Sequence, residues 1–283
     1  MKTFTKISEM RAAVLEARKK GLSIGLVPTM GYLHEGHLSL VRESVKKTDC
    51  TVVSIFVNPS QFRPNEDIAE YPRDIDHDVR ILGKEGVTFV FIPEVEEMYP
   101  PGYKTYVEVT ELQDKLCGRS RPGHFKGVCT VVLKLFHVIN ADVAFFGQKD
   151  TQQAVILKKM IQDLDMTVRI EVLPIVREKN GLALSSRNTY LSPEQRKAAL
   201  CLVRGLRKAG QMIEDGIRES ARIIQQVKDV IRSEPLAEID YVEIVDLESL
   251  DSIKRVDKEC LIALAVFIGK VRLIDNVIFG YRE

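Results

Sequence analysis

Apolar residues follow two alternating patterns through the first part of the chain: short runs of strand length, and longer stretches with the three-to-four spacing of amphipathic helices. Residues 22–27 read as a buried strand that Pro28 ends. Before it, Ser8 caps a helix with Met10, Val14, Leu15 and Ala17 on one face and Gly21 at its stop. Strand patterns return at 51–57, 87–92, 142–146 and 168–173, and helical patterns at 35–47, 75–84, 130–139 and 151–164. Strands alternating with helices predict βαβ units and a parallel sheet, which binds ligands beyond the carboxyl ends of its strands.

The texture changes after Pro174. Asn180-Gly181 is a turn signal, and Ser192-Pro193-Glu194 supplies an N-cap, a proline for the first helical position and an acid for the first turn. Helical stretches at 193–215 and 218–233 precede strands at 241–245, 261–267 and 273–279. The expected fold class is therefore α/β: a Rossmann-like doubly wound parallel sheet in a domain spanning 1–176, and a smaller C-terminal α+β domain spanning 177–283 that acts as a lid.

Composition narrows the partners more than the fold. Of 283 residues, 45% are hydrophobic and 29% charged, an ordinary globular mix. Basic residues number 41 and acidic residues 40, and a net charge of +1 gives no overall pull toward nucleic acid or a membrane surface. The N-terminus lacks the apolar run of a secretory signal, and the longest apolar run, 260–268, suits a buried strand. Five scattered cysteines without a C-x-x-C pair fit free thiols in a reducing cytoplasm.

Candidate chemistry gathers at predicted strand ends. Residues 28–37, PTMGYLHEGH, lie between the first strand and a helix, where unpaired backbone N–H groups and the helix dipole favour a phosphate. His34 and His37 share a helical face, and two imidazoles there can stabilise the charge that develops during adenylyl transfer. Taken alone, an H-x-x-H pair also occurs on helix surfaces and in partial metal sites. Residues 145–153, FFGQKDTQQ, place Lys149 for a phosphate, and Asp150 for a ribose hydroxyl or a helix cap. Ser185, Ser186 and Arg187 offer two hydroxyls and a guanidinium on a loop suited to the outer phosphates. Gln61, in VNPSQF, can hydrogen-bond a polar substrate. No Walker A sequence and no G-x-G-x-x-G is present.

PTMGYLHEGH, VNPSQF, EYPRD, RPGHFKGV, FFGQKDTQQ and LALSSRN, in this order and spacing, resemble the pantothenate synthetase (pantoate–β-alanine ligase) family, within the H-x-G-H nucleotidyltransferase superfamily. The likeness runs from about residue 3 to the C-terminus and is tightest through residue 190. It implies that pantoate attacks the α-phosphate of ATP to give pantoyl adenylate, and that β-alanine then displaces AMP. It also implies that Met30, Gly31, Tyr32, Leu33, His34, Glu35, Gly36, His37, Gly147, Gln148, Lys149, Asp150, Val176, Leu184, Ser185, Ser186 and Arg187 line the ATP site. His37 is then the residue labelled proton donor, with His34 and Lys149 as catalytic partners. Gln61 and Gln153 hold pantoate, Mg²⁺ rides on the phosphates, and the chain works as a homodimer. Asp76 and Asp78 are candidates to assist Mg²⁺, and Arg121 to reach a phosphate or a second subunit.

Overall fold

The structure, a computed structural model, describes residues 1–64 and 66–280. In chain order the elements are β1 (Lys2–Phe4), α1 (Ile7–Lys19), β2 (Ile24–Thr29), α2 (Glu35–Lys47), β3 (Cys50–Ile55), α3 (Ile75–Lys84), β4 (Phe89–Phe91), α4 (Val95–Met98), α5 (Cys117–Ser120), α6 (His124–Ile139), β5 (Val143–Gly147), α7 (Thr151–Asp163), β6 (Arg169–Leu173), α8 (Pro193–Ala198), α9 (Leu200–Glu214), α10 (Ser220–Arg232), β7 (Ala237–Asp246), β8 (Cys260–Ile268) and β9 (Val271–Phe279). They form two compact units. One is Met1–Gln113 with Arg121–Pro174, and the other is Asp114–Ser120 with Ile175–Glu283.

The first unit is a six-stranded sheet in the order β1-β4-β3-β2-β5-β6, with every pairing parallel and helices flanking it. The chain steps from β2 to β3 to β4 in one direction, then returns to lay β5 on the other side of β2. The topology therefore reverses between β2 and β5, the position where open α/β sheets take their ligands. Central strands are buried along most of their length, as expected where both faces are covered. Val27, Val53, Val90, Val143 and Phe145 from the strands pack with Leu40 and Val41 of α2 and Leu82 of α3.

Two local expectations are corrected. Pro28 does not end its strand, because β2 runs on to Thr29. Pairing to β5 reaches only Gly25 and Leu26, so the N–H that Pro28 lacks is not needed by that ladder. Ser8 is not the cap of α1 but sits inside it. Lys6 holds the cap position without a side-chain bond, and Leu15 is 56% exposed while Met10, Val14 and Ala17 are buried.

The second unit is an antiparallel sheet, β7-β8-β9, packed against α9 and α10 around a separate apolar core. Ser192 and Gln195 form the expected capping box at α8. The stretch expected as one helix divides at Ala199, where a Leu202 N–H to Ala199 carbonyl bond (3.2 Å) tightens the turn. Residues 114–120 pack with this unit: Lys115 bonds the Ser249 carbonyl (2.6 Å) and Ser120 bonds Asp240 (2.7 Å). Among the described residues no helix is long and apolar enough to cross a membrane. All five cysteines are buried free thiols.

Candidate active site

The segment between β2 and α2 is built around a left-handed kink. Gly31 has φ +83° and Tyr32 φ +51°, and a non-glycine residue there stores strain. Asp78, on the buried face of α3, holds that strain in place. Its carboxylate accepts from the Tyr32 N–H (2.7 Å) and the Leu33 N–H (2.8 Å), and the residue is 1% exposed. Burial pushes its carboxyl upward, opposed by those two backbone bonds and by His77. A Cβ on Gly31 would stand 3.1 Å from Asp78 Oδ2, so the kink also needs the missing side chain. Both Asp78 oxygens are thus engaged by the loop, which removes Asp78 as a candidate for Mg²⁺. The Leu33 side chain turns into the core, and Glu35 is exposed and paired with Arg42. Met30, Tyr32 and Gly36 are partly buried around the loop.

The two histidines cap α2 reciprocally. His34 Nδ1 accepts from the Gly36 N–H (3.1 Å), and His37 Nδ1 accepts from the His34 N–H (3.3 Å). Their rings lie 4.1 Å apart between centroids. A backbone N–H can only donate, so both Nδ1 atoms carry lone pairs and both Nε2 atoms carry the proton. Burial, then the Lys149 charge, lowers His34 to about 4. His37 is pushed well below its ordinary value by burial, by His34 and by Lys149. At neutral pH both rings are neutral Nε2–H donors.

Lys149 acts on both histidines from the loop after β5. Gly147 ends that strand, and Gln148–Asp150 form a 3₁₀ turn leading into α7. Asp150 occupies the cap position of α7 but makes no side-chain capping bond, which removes the simple capping explanation for it. On the first turn of α7, Gln152 is buried and donates to the Leu112 carbonyl (3.2 Å), whereas Gln153 is partly exposed.

After β3, Pro59–Gln61 form a 3₁₀ turn capped by Asn58, itself 1% exposed. Asn58 Oδ1 accepts from the Ser60 N–H (3.3 Å) and the Tyr99 hydroxyl (2.8 Å). Its Nδ2 donates to the Gly127 carbonyl (3.1 Å) and to Gln61 Oε1 (2.9 Å). The Ser60 N–H is an obligate donor and the Gly127 carbonyl an obligate acceptor, so the Asn58 amide has one possible orientation. Gln61 must then turn its oxygen to Asn58, which leaves its NH₂ on the side of Met30 Sδ, 3.2 Å away. The network thus reserves Gln61, expected to hydrogen-bond a polar substrate, as a donor.

Loops following β2, β3 and β5 therefore bring His34, His37, Lys149 and Gln61 to one edge of one sheet, at its switch point. The remaining predicted residues lie on the second unit. Val176 and Leu184 pair across a small hairpin (Leu184 N–H to Val176 carbonyl, 3.0 Å) that turns at Asn180-Gly181. Ser185 caps a 3₁₀ turn, Ser186–Tyr190, by accepting from the Arg187 N–H (3.3 Å). Asn188 anchors that turn by donating to the Ala183 carbonyl (3.0 Å). The segment expected as a loop is a 3₁₀ turn with its own cap.

Asp78, Asn58 and Tyr99 are the residues that sequence reading missed in these roles. Asp78 carried a signal: an acid four residues before Leu82, on the apolar face of a helix, needs a buried partner. Tyr99 carried none.

A family profile described as Pantoate-beta-alanine ligase matches residues 2–278. The chain is 58% identical over 274 residues to the pantothenate synthetase of Pelotomaculum thermopropionicum, covering 97% of each. It is 53% identical over 273 residues to that of Caldicellulosiruptor saccharolyticus, covering 96% of this chain and 97% of that one. Among solved structures it is similar to the pantothenate synthetase of Thermus thermophilus, with a TM-score of 0.94, 42% identity, and 98% and 99% of the two chains covered. It is also similar to a pantoate-beta-alanine ligase from Francisella tularensis complexed with beta-gamma ATP and beta-alanine, with a TM-score of 0.81, 33% identity, and 98% and 97% covered.

Proposed function

The chain belongs to the pantoate-beta-alanine ligase family, and from that premise we propose that it condenses pantoate with β-alanine to pantothenate, driven by ATP. In the first step a pantoate carboxylate oxygen attacks the α-phosphorus of ATP, and the bond from that phosphorus to pyrophosphate breaks. In the second, the amine of β-alanine attacks the acyl carbon of pantoyl adenylate, gives up a proton, and AMP leaves. Magnesium enters on the phosphates of ATP.

The observation that carries this reading is the convergence of fixed hydrogen-bond donors at the switch point. Both reactants are rich in acceptors: phosphate oxygens on one, a carboxylate and two hydroxyls on the other. His34 and His37 aim Nε2–H donors at the oxygens where charge grows as the Pα–O bond breaks, and Lys149 adds a full charge. With its pKa depressed, His37 works by hydrogen bonding rather than by giving up a proton. Gln61 and Gln153 bind pantoate, with Met30 and Phe62 seating its gem-dimethyl carbon. Gly147, Gln148, Asp150, Val176, Leu184, Ser185, Ser186 and Arg187 are the further nucleotide contacts that the family resemblance supports. No acyl-enzyme is needed, since positioning and charge stabilisation suffice.

The five buried free thiols support a reducing, cytoplasmic setting. The family resemblance supports a homodimer, which sedimentation at twice the chain mass would test. Exchange of label between ATP and pyrophosphate tests the chemistry. It should require pantoate and proceed without β-alanine, and pantothenate should form once β-alanine is added. Exchange supported by a phosphate ester in place of pantoate would overturn the assignment.

A further inference from the structure

The segment RPGHFKG (121–127) carries part of the family resemblance but has no part in the chemistry above. Three of its residues converge on the turn that bears Gln61. His124 Nδ1 lies 2.8 Å from the Gln61 carbonyl oxygen, and Arg121 Nη2 donates to the same oxygen at 3.3 Å. Arg121 is held in turn by Glu66, through Nε at 2.9 Å. Gly127 lies one turn on along the same face of α6. A Cβ there would stand 2.3 Å from the Ser60 carbonyl oxygen and 2.6 Å from the Gln61 nitrogen, so only glycine lets the turn seat this closely.

The partners also fix the state of the His124 ring. A backbone carbonyl can only accept, so Nδ1 carries the proton. A guanidinium can only donate, so Nε2, 3.1 Å from Arg121 Nη1, carries the lone pair. Neither nitrogen is left over to exchange a proton with a substrate, and the ring's work is mechanical.

We propose that His124, backed by Arg121 and Glu66 and seated by Gly127, is a positioning residue for acid recognition: it clamps the Gln61 main-chain carbonyl and so aims the Gln61 NH₂ at pantoate. The inference rests on the reading of Gln61 as a pantoate ligand. It gives the polar core of this segment a role in specificity rather than in phosphate binding or subunit contact.

Paired amide variants test it. In His124→Asn the side-chain NH₂ can take the place of Nδ1 and still donate to the carbonyl. In His124→Gln the amide reaches the Nε2 position and leaves the carbonyl without that donor. His124→Gln should raise the KM for pantoate about tenfold, the equivalent of about 1.4 kcal/mol, with kcat and the KM for ATP within about threefold of the parent. His124→Asn should restore the pantoate KM to within about twofold. On a Gln61→Ala background His124→Gln should add less than about twofold, because the clamp has nothing left to aim. Equal impairment in the Asn and Gln variants, or a full tenfold effect added to Gln61→Ala, would overturn the proposal while leaving Gln61 as a pantoate ligand. A Gln61→Ala variant with the parent's pantoate KM would instead overturn that ligand assignment, and the proposal with it. If thermal melting shows that His124→Gln does not fold, Arg121→Lys takes its place. Lysine keeps the charge toward Glu66 but cannot bond both the ring and the carbonyl, so the same pantoate-selective rise is expected, and a parent-like KM refutes the clamp.

Discussion

Asp78→Asn separates the conformation of the β2–α2 loop from its composition, since it leaves every residue of the loop unchanged. In the parent both carboxylate oxygens accept a backbone N–H, at 2.7 and 2.8 Å, from inside the protein. In the variant one oxygen becomes an NH₂ that faces an N–H, donor against donor. A hydrogen bond to a charged group contributes about 1.5–3 kcal/mol, and a buried N–H left unpaired costs about 1–3 kcal/mol. Removing a buried charge gives part of this back, because burial disfavours the ionised carboxyl. A net loss of about 2 kcal/mol should lower the melting temperature by roughly 4–8 °C for a domain of this size. The chemistry should suffer more than the fold. Tyr32 sits at φ +51°, a conformation that costs about 1–3 kcal/mol and persists only while its surroundings enforce it. Once released, the loop carries His34 with it, and a shift of about 1 Å in a reacting geometry costs about 10²-fold in rate. The expected result is therefore a modest melting shift with about a hundredfold loss of pantoate-dependent exchange. A melting shift with exchange within twofold of the parent would refute the idea that Asp78 sets the catalytic geometry.

Other consequences are as direct. His34→Ala and His37→Ala should each cost on the order of 10²–10³ in adenylation while far-ultraviolet circular dichroism stays unchanged, and near-parental exchange in both would remove them from the chemistry. Because His34 falls from 6.5 to about 4 on folding, the unfolded chain binds its proton more readily between those values. The stability that the neutral ring contributes is then complete above 6.5 and is lost as pH falls toward 4. Exchange should accordingly show no inflection near pH 6.5, and an acid limb there that vanishes in His34→Gln would contradict the neutral-donor reading. ATP and pantoate alone should release a burst of pyrophosphate equal to the enzyme present, and an acyl adduct on the protein mass would rule out a free adenylate. Gln61→Ala should weaken pantoate about tenfold, one hydrogen bond's worth, without changing the KM for ATP.

Local rules made much of this molecule legible. The helices at Glu35–Lys47 and Ile75–Lys84 begin and end where apolar spacing and their flanking residues place them. The parallel sheet followed from strand–helix alternation alone. Where the reading slipped, a local signal was overruled. Pro28 looked like a terminator, yet it stands where one ladder has already ended. Apolar periodicity predicts a start for α6 at 130 because His124, Lys126 and Gly127 blur it, although the helix begins at His124. The loops that carry chemistry could be named from the sequence, but what holds them could not. Asp78 meets Tyr32 across 46 residues, and His124 meets Gln61 across 63. Each is an ordinary polar residue until the fold supplies its partner.

Those distant partners share one purpose. Asp78 accepts from the loop that bears the histidines. The backbone N–H groups of Gly36 and His34 occupy both Nδ1 atoms, and Asn58 occupies the oxygen of Gln61. In the two imidazoles and the Gln61 amide an internal partner takes the acceptor side of a two-sided group and leaves its donor side outward. The imidazoles and the amide would otherwise be ambivalent, free to flip and to favour a protonated ligand as readily as an anionic one. With those three acceptors satisfied internally, the histidines and Gln61 offer N–H groups beside the Lys149 ammonium. An anionic phosphate or carboxylate meets donors there that need no reorganisation, which is the condition for stabilising charge as it moves from the carboxylate toward pyrophosphate. Asn58→Asp tests this polarity at its most buried point. A carboxylate there would face Gln61 Oε1, force the Gln61 amide to turn over, and direct an acceptor at the substrate. Pantoate binding should then fall by more than in Gln61→Ala, because an added repulsion exceeds a lost bond. A variant no worse than Gln61→Ala would mean that the orientation of Gln61 does not govern recognition.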